Sequence, residues 1–244
     1  MGKPIPILFY PIVPHPLQHD NRLLVRLFMS VLLHSRDESG DELGISDICR
    51  LVFKSFRLNP MAKKVPEHQI FESYAKRMGV EGATMQMARI ESMAASLGLD
   101  FHYGTAWNSN TFDAHRLAKY AYFIGRRQGD ALVKRFYDAF FRDNLVLADH
   151  EVLLKLCEEC GLDRAECSGV LSTDLFADDV LKDEGEAHSY GINAVPFFIV
   201  NGKYGIPGAV GVDEFKRILT SALNEEESDA SEGSVCGPDG CRRS

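Results

Sequence analysis

The sequence predicts an α/β fold in which two small segments, near the two ends of the chain, share one sheet. The opening segment has the pattern strand, helix, strand, and the closing segment has the pattern strand, strand, helix. Between them, residues 65 to about 188 show helical periodicity throughout. Because a β-β-α unit is too small to fold alone, we expect the closing segment to complete a core that the opening segment begins.

The opening segment starts with a short apolar stretch, Ile5 to Tyr10, which suits a buried strand. Prolines end this stretch, and from about Asp20 apolar residues recur at helical spacing. A second strand is predicted from Cys49 to Leu58. The resulting β-α-β unit predicts a parallel pair of strands joined by a right-handed crossover.

The helical segment divides into several helices. The third is expected to open at Asn110-Thr111, where either residue suits an N-cap, and Asp113 in its first turn matches the helix dipole. Gly161 is the expected C-cap of a later helix. The predicted helices cover approximately residues 67–78, 83–97, 110–127, 130–144, 149–160, 163–171 and 176–189.

The closing segment contains a β-hairpin, in which an apolar run from Phe197 meets a second short run that ends near Ile206. Asn201-Gly202 between them supplies the two positive-φ residues of a type I′ turn. The hairpin is preceded by Val195-Pro196, and a proline fits at the first residue of a strand because it cannot donate to the ladder. A helix from Val212 to Leu223 follows, with one apolar face.

Three stretches of the sequence resemble a known family. Residues 194–209, with the helix after them, are similar to the second half of a thioredoxin-like fold in the DsbA-like family. More narrowly they resemble its FrnE-like branch, which is related to 2-hydroxychromene-2-carboxylate isomerases and kappa-class glutathione transferases. Residues 53–60 and 110–117 share this resemblance. The resemblance implies that the peptide bond before Pro196 is cis and that this proline faces the redox motif.

The resemblance also divides the chain into domains. It implies a thioredoxin-like domain made of residues 1–64 and 189–224, interrupted by a helical insertion domain of residues 65–188. Residues 225–244 form an acidic tail that cannot build a core, and we expect it to be disordered. As a flexible chain, the part of the tail that leads to its first cysteine would reach about 20 Å.

In this superfamily, thiol–disulfide exchange uses a Cys-x-x-Cys motif at the start of the first helix, where the helix N-terminus lowers the pKa of a thiol. Here the motif falls on His15, Pro16, Leu17 and Gln18, and the first 48 residues contain no cysteine. Neither imidazole nor amide forms the mixed disulfide of the exchange reaction. We therefore expect this dithiol to be lost, which leaves open whether the chain is an enzyme. His15 is either a general base or a loop residue without a chemical role.

The tail pair, Cys236 and Cys241, is the remaining candidate for catalysis, and some FrnE-like proteins carry such a pair. Residues 237–240, Gly-Pro-Asp-Gly, suit a β-turn that would bring the two cysteines within disulfide distance. Arg242 and Arg243 would favour a thiolate at Cys241. The alternatives are a tail that scavenges metal ions and a tail without function.

A second Cys-x-x-Cys spacing occurs at Cys157 and Cys160, at the predicted end of a helix. There the helix dipole and two adjacent glutamates raise thiol pKa values, so we interpret this pair as structural. Cys49 and Cys167 are further core candidates. No metal site is predicted, because a zinc site would need two more well-placed ligands.

The predicted substrate groove consists of Val195, Pro196 and His115. The alternative for His115 is a structural one, in which the ring packs beside the start of its helix. Trp107 is likewise either a wall of this cleft or a simple core residue.

The net charge of −8 without a basic stripe argues against nucleic acid and anionic membranes as partners. No apolar run approaches the roughly 20 residues that span a bilayer. The start is no secretory signal, so we expect a cytoplasmic protein with reduced cysteines.

The function implied by the resemblance is thiol–disulfide oxidoreduction, with protein thiols, disulfides or an extended peptide as partners and no cofactor. One alternative is a non-catalytic binding or chaperone-like protein with the same fold. The other is an isomerase-like or glutathione-dependent enzyme that uses His15 or His115, with glutathione as its candidate cofactor.

Overall fold

A computed structural model describes most of the chain, namely residues 5–10, 49–96, 98–207, 214–215, 217–222 and 224–225. In this part, four strands form one mixed sheet in the order β2-β1-β3-β4. The strands are β1 (Ile5–Tyr10), β2 (Cys49–Phe53), β3 (Phe197–Val200) and β4 (Tyr204–Pro207). β1 pairs in parallel with β2 and antiparallel with β3, which pairs antiparallel with β4. The two end segments therefore share one sheet, which confirms the predicted α/β fold.

The β2 strand ends at Phe53 and not at Leu58 as predicted. Beyond Phe53 two backbone N–H groups donate to side chains of a distant helix. The N–H of Ser55 donates to Asp183, and the N–H of Arg57 donates to Glu184. The apolar pattern of the sequence did not indicate this change of partner.

In the described residues between β2 and β3 there are six α-helices and one 3₁₀ turn (Tyr103–Thr105). Two predicted helices appear as one element, but Gly79 at φ 78° and ψ 165° breaks it close to the predicted boundary. The first of them begins at Ile70 and not at Glu67. The helices are α1 (Ile70–Ala95), α2 (Phe112–Ile124), α3 (Arg126–Phe141), α4 (His150–Glu159), α5 (Arg164–Ser172) and α6 (Ala177–Ser189). No helix in the described ranges is long and apolar enough to cross a bilayer.

Side-chain caps mark the starts of three helices near the positions that the sequence predicts. Asp149 accepts hydrogen bonds from the backbone at the start of α4, and Asp163 does the same for α5. Asn110 accepts from the N–H of Phe112 at the start of α2, at 2.9 Å. Gly161 ends α4 at φ 75°, a left-handed conformation that glycine adopts without strain.

The closing hairpin has the predicted turn. Asn201 and Gly202 have φ values of 52° and 67°, as a type I′ turn requires. The described residues within 214–225 are helical, and Phe215 packs edge-to-face on Phe198 with ring centroids 5.2 Å apart. This contact attaches the closing helix to the sheet.

Two apolar clusters lie in the described part of the chain. The larger one contains residues from the five helices α1, α2, α3, α4 and α5 and from the 3₁₀ turn. The smaller one lies between the sheet and α6, where Phe56, Ala187, Ile192 and Ile199 are buried together.

Arg116 on α2 is a buried cation, 4% exposed, that connects α2 to α5 and to the segment that follows α5. Its Nη1 donates to Asp113 at 2.9 Å, and its Nε donates to the carbonyl of Leu175 at 3.0 Å. Its Nη2 donates to the carbonyls of Val170 and Thr173. The guanidinium thus holds the end of α5 and the start of the α5–α6 connection against α2.

We expect Arg116→Lys to destabilise the fold by about 3–5 kcal/mol, because the smaller ammonium leaves buried acceptors unpaired. Equilibrium urea unfolding, followed by circular dichroism, measures this loss. Arg164→Lys is the control, since Arg164 forms its two ion pairs at the surface. Its loss should be clearly smaller. Equal losses in the two variants would contradict the role assigned to Arg116.

Candidate functional site

Two strands end and a third strand begins at one edge of the sheet. Phe9 pairs with Phe53 and Tyr10 pairs with Phe197, so the chain leaves β1 and β2, and enters β3, at the same edge. The bond between Val195 and Pro196 at this edge is cis, and Pro196 is buried. His15, Pro16, Leu17 and Gln18 follow β1 in the sequence but lie outside the described residues. Their expected position beside Pro196 remains a prediction.

The start of β3 rests on the segment that leaves β2. Val195 packs against the smaller apolar cluster, and Leu58 packs against the same cluster. Phe56, a member of that cluster, is 4% exposed. The entry into β3 is therefore fixed by residues that follow β2.

Three acidic side chains on α6 bind this same segment, and we call them the α6 carboxylates: Asp183, Glu184 and Glu186. Asp183 accepts from the N–H of Ser55 at 2.7 Å and from Lys54 Nζ at 3.1 Å. Glu186 accepts from Lys54 Nζ at 2.6 Å. Burial alone would lower the pKa of Lys54, but the hydrogen bond of Glu186 and the charge of Asp183 outweigh it and raise this pKa.

The contact between Glu184 and Arg57 is bidentate. Glu184 accepts from Arg57 Nε at 2.6 Å and from Nη2 at 2.8 Å, and also from the N–H of Arg57 at 3.1 Å. Lys119 on α2 also donates to Asp183. Buried carboxylates and cations are thus matched in charge, so they form a structural junction and leave no free charge for a ligand.

A pocket lies next to this junction, between α2, α3 and the end of β2. Its cavity volume is about 60 Å³, several times the space that one water molecule needs, and it is partly open to solvent. Most of its wall is aromatic or aliphatic. The lining residues are Phe53, Lys54, Ser55, Ala114, His115, Ala118, Lys119, Tyr122, Val133, Phe136, Tyr137, Phe140 and Leu147.

His115 is a buried titratable residue of this pocket. The side chain is buried, 7% exposed, and its Nε2 atom has no hydrogen-bond partner. Burial lowers the pKa of His115 to about 4, and the opposing charge of Glu184 does not offset this effect. The imidazole is therefore neutral near neutral pH.

The predicted groove residues divide between two places. His115 lines the pocket, whose wall includes neither Val195 nor Pro196. The two places are connected through the chain, since Ser55 lines the pocket and Phe56 belongs to the cluster that holds Val195. Trp107 is half-buried, pairs through its backbone with Gln69 and does not line the pocket.

Sequence reasoning missed Lys54, Ser55 and Lys119 as members of a site. Their acidic partners lie on α6, and the contact between Ser55 and Asp183 spans 128 residues of sequence. The only local signal was the group of polar residues Lys54, Ser55 and Arg57 just after the predicted apolar start of the second strand.

The cysteines of the helical segment are buried or half-buried and free. Cys157 and Cys167 are buried, and Cys160 is half-buried. The adjacent Cys167 and burial raise the pKa of Cys157, and burial raises the pKa of Cys160. No group of three or more metal-ligating side chains occurs within the residues that the structure describes. These surroundings agree with the structural role predicted for the Cys157/Cys160 pair.

The four-stranded sheet, the cis bond before Pro196 and the helices between β2 and β3 define a thioredoxin-like α/β protein with a large helical insertion. The sequence profile of the DSBA-like thioredoxin domain matches residues 30–220. This chain therefore belongs to the family of DsbA-like thioredoxin domains.

Similar proteins agree with this assignment. The chain is 30% identical to the uncharacterised protein YwbO of Bacillus subtilis over 143 residues, which are 56% of this chain and 68% of that protein. The structure of a probable DsbA oxidoreductase of Streptomyces coelicolor is 26% identical, with a TM-score of 0.74, over 98% of this chain and 99% of that chain. A putative protein disulfide isomerase of Nitrosomonas europaea shares the fold at 12% identity, with a TM-score of 0.62, over 91% of this chain and 99% of that chain.

We expect His115 to titrate near pH 4 in the folded protein, below its ordinary value of 6.5. Between these values the unfolded chain binds a proton here and the folded protein does not. The contribution of His115 to stability is therefore complete above pH 6.5 and falls as the pH approaches 4, by about 3 kcal/mol. Urea unfolding at several pH values between these limits measures this slope.

The matched pair of variants for this prediction is His115→Gln and His188→Gln, since His188 is exposed. The slope between pH 4 and pH 6.5 should flatten only in His115→Gln. A slope that is unchanged in His115→Gln would show that the buried imidazole is not the titrating group.

We expect Cys157→Ala and Cys160→Ala to lower stability without changing thiol exchange by the folded protein. The loss should be on the order of 1–2 kcal/mol for Cys157, which is buried, and less for Cys160. Urea unfolding measures the first quantity, and the rate of reaction with a small disulfide measures the second. A slower exchange in a variant that remains fully folded would contradict this interpretation.

Proposed function

We propose that this protein is a thiol–disulfide oxidoreductase whose exchange chemistry is carried by Cys236 and Cys241. The observation that carries the proposal is where the six cysteines lie. The first 48 residues, which include the position of the family's motif, contain none. Within the described helical segment the cysteines are buried or half-buried, and the pKa values of Cys157 and Cys160 are raised. Besides Cys49, at the start of β2, the tail pair remains as the candidate for the exchange chemistry.

The proposed reaction is a dithiol–disulfide exchange. The thiolate of one tail cysteine attacks a substrate disulfide, forming a mixed disulfide and releasing one substrate thiol. The second tail cysteine then attacks the mixed disulfide and releases the other substrate thiol. The tail pair loses two electrons and becomes a disulfide. The substrate disulfide gains the same two electrons and becomes two thiols. Arg242 and Arg243 support the thiolate of Cys241 in this scheme.

The proposed substrate position is the sheet edge at the start of β3. An extended peptide beside Val195 and Pro196 would receive main-chain hydrogen bonds there. The positions His15 to Gln18 would border the same groove without contributing a thiol. The burial of Pro196 and the packing of Val195 on the smaller apolar cluster support this proposal, because they give the groove a fixed floor.

We also propose a reducing, cytoplasmic location. The free state of Cys157 and Cys167, whose thiols are in contact and are not joined, supports it. In such a compartment the tail pair would rest as a dithiol and act as a reductant.

The second candidate is a binding protein without chemistry, and the intact start of β3 favours it. The groove beside Pro196 would then hold an extended peptide in the absence of any exchange. A third possibility, a glutathione-dependent enzyme, requires measurable glutathione affinity, which calorimetry of the folded protein with reduced glutathione tests directly.

The deciding experiment compares the wild type with Cys236→Ser/Cys241→Ser. Redox titration with a small disulfide, followed by alkylation and mass spectrometry of the C-terminal peptide, reports the state of the tail pair. We expect Cys236 and Cys241 to join in the wild type while the protein stays folded, and we expect the double variant to lose its reductase activity toward a protein disulfide.

The control variant is Cys160→Ala, which removes a half-buried cysteine and leaves the tail intact. It should keep full activity. If the tail cysteines neither pair nor exchange in the folded protein, the oxidoreductase proposal is wrong. Retained binding of an extended peptide would then identify the binding function.

A further inference from the structure

Exposed apolar side chains lie together where the end of α2 meets the start of α6. We call them the Phe123 patch, which consists of Phe123, Ile124, Leu175 and Phe176. The rings of Phe123 and Phe176 are in contact, with centroids 5.9 Å apart. Phe123 is 76% exposed, Leu175 56% and Ile124 49%. Single apolar side chains at a surface need no explanation, but adjoining ones of this size are typical of a surface that another protein covers.

The backbone holds the patch in a fixed shape. Phe176 has φ 62° and ψ 8°, a left-handed conformation that is costly for a bulky residue. Its ring also lies 6.0 Å from the ring of Tyr120, and Arg116 Nε holds the carbonyl of Leu175 at 3.0 Å. Side chains that are fixed before binding lose little conformational freedom on association. The patch is therefore formed in advance of any partner.

The two halves of the patch carry opposite charges. Two arginines follow the α2 half, and three aspartates flank the α6 half: Arg126, Arg127, Asp174, Asp178 and Asp179. All five side chains are exposed. Arg126 lies 3.8 Å from Asp130, whereas the other four form no ion pair among the residues that the structure describes. These four charges are therefore available to a partner.

A second copy of this chain would match both halves at once. In a two-fold interface the same patch meets itself, so the arginine half of each copy faces the aspartate half of the other. The phenylalanines would then supply the apolar centre, and the charges at the rim would fix the orientation. A partner with charges of one sign would match one half of the patch and repel the other.

We propose that the Phe123 patch is the interface of a two-fold symmetric homodimer. Phe123 and Phe176 of each copy form its centre, and Arg127 of one copy faces Asp178 and Asp179 of the other. The interface uses no cysteine, so it does not depend on the proposed redox function.

The first test measures the mass of the full-length protein by sedimentation equilibrium across the micromolar concentration range. A reductant prevents intermolecular disulfides. The wild type should dimerise, and Phe123→Ser should raise the dissociation constant of the dimer by about tenfold or more, because aromatic residues at the centre of an interface carry much of its binding energy. Met85→Ser, which removes an apolar side chain of α1 that is 68% exposed, is the matched control and should leave the dimer unchanged.

The second test reverses the charges of each half. Arg127→Glu and the double variant Asp178→Lys/Asp179→Lys should each weaken the dimer, because like charges then face each other. An equal mixture of the two variants should form mixed dimers, because every reversed contact again joins opposite charges. A contact between this patch and a different surface, or a different protein, does not predict this restoration.

Three outcomes would overturn the proposal. These are a wild type that stays monomeric, a dimer that is equally stable in Phe123→Ser, and a mixture of the two charge variants that remains monomeric. Circular dichroism establishes that each variant is folded, and if Phe123→Ser is not, the mixture of charge variants still decides. The Cys236→Ser/Cys241→Ser variant should dimerise as the wild type does, so loss of thiol exchange and loss of the dimer are distinguishable.

Discussion

The described structure depends most on the contact between the α6 carboxylates and the segment that leaves β2. Asp183 and Glu184 are buried, and they accept the backbone N–H groups of Ser55 and Arg57 as well as their charged partners. A buried carboxylate is tolerated only while its partners stay in place, so this contact allows one path for the chain after β2. The same helix then leads through Ile192 directly into β3. One set of ion pairs therefore sets both the exit from β2 and the entry into β3.

The residues that follow β2 border two different sites. Ser55 lines the pocket of His115, whereas Phe56 packs in the cluster that supports Val195. The pocket and the start of β3 are thus two faces of one short segment. A side chain that displaced this segment toward α2 would also remove support from Val195, so the two sites share a scaffold even though their walls do not overlap.

Local sequence patterns predicted the turns, helix caps and strands that depend only on residues adjacent in the sequence. The Asn201-Gly202 turn, the Asp149 and Asp163 caps and the strand β1 follow from a few adjacent residues each, and the structure shows them where the sequence places them. The end of β2 and the surroundings of His115 depend instead on α6 and α3, which are distant in sequence. Periodicity gives the apolar face of α2, but it does not reveal that a pocket lies against that face. The sequence therefore predicted the helices and strands well. It did not predict that His115 lines a pocket that excludes Val195 and Pro196.

The contacts at the sheet edge bear on the proposed absence of a dithiol after β1. The described contacts that fix this edge are ion pairs to α6 and the apolar packing of Phe56 and Val195. None of them uses a sulfur atom. The proposed loss of the two motif cysteines would therefore leave all of these described contacts in place. A site whose binding surface is held independently of its nucleophile permits the reactive thiols to be supplied from elsewhere in the chain, which is the arrangement proposed for Cys236 and Cys241.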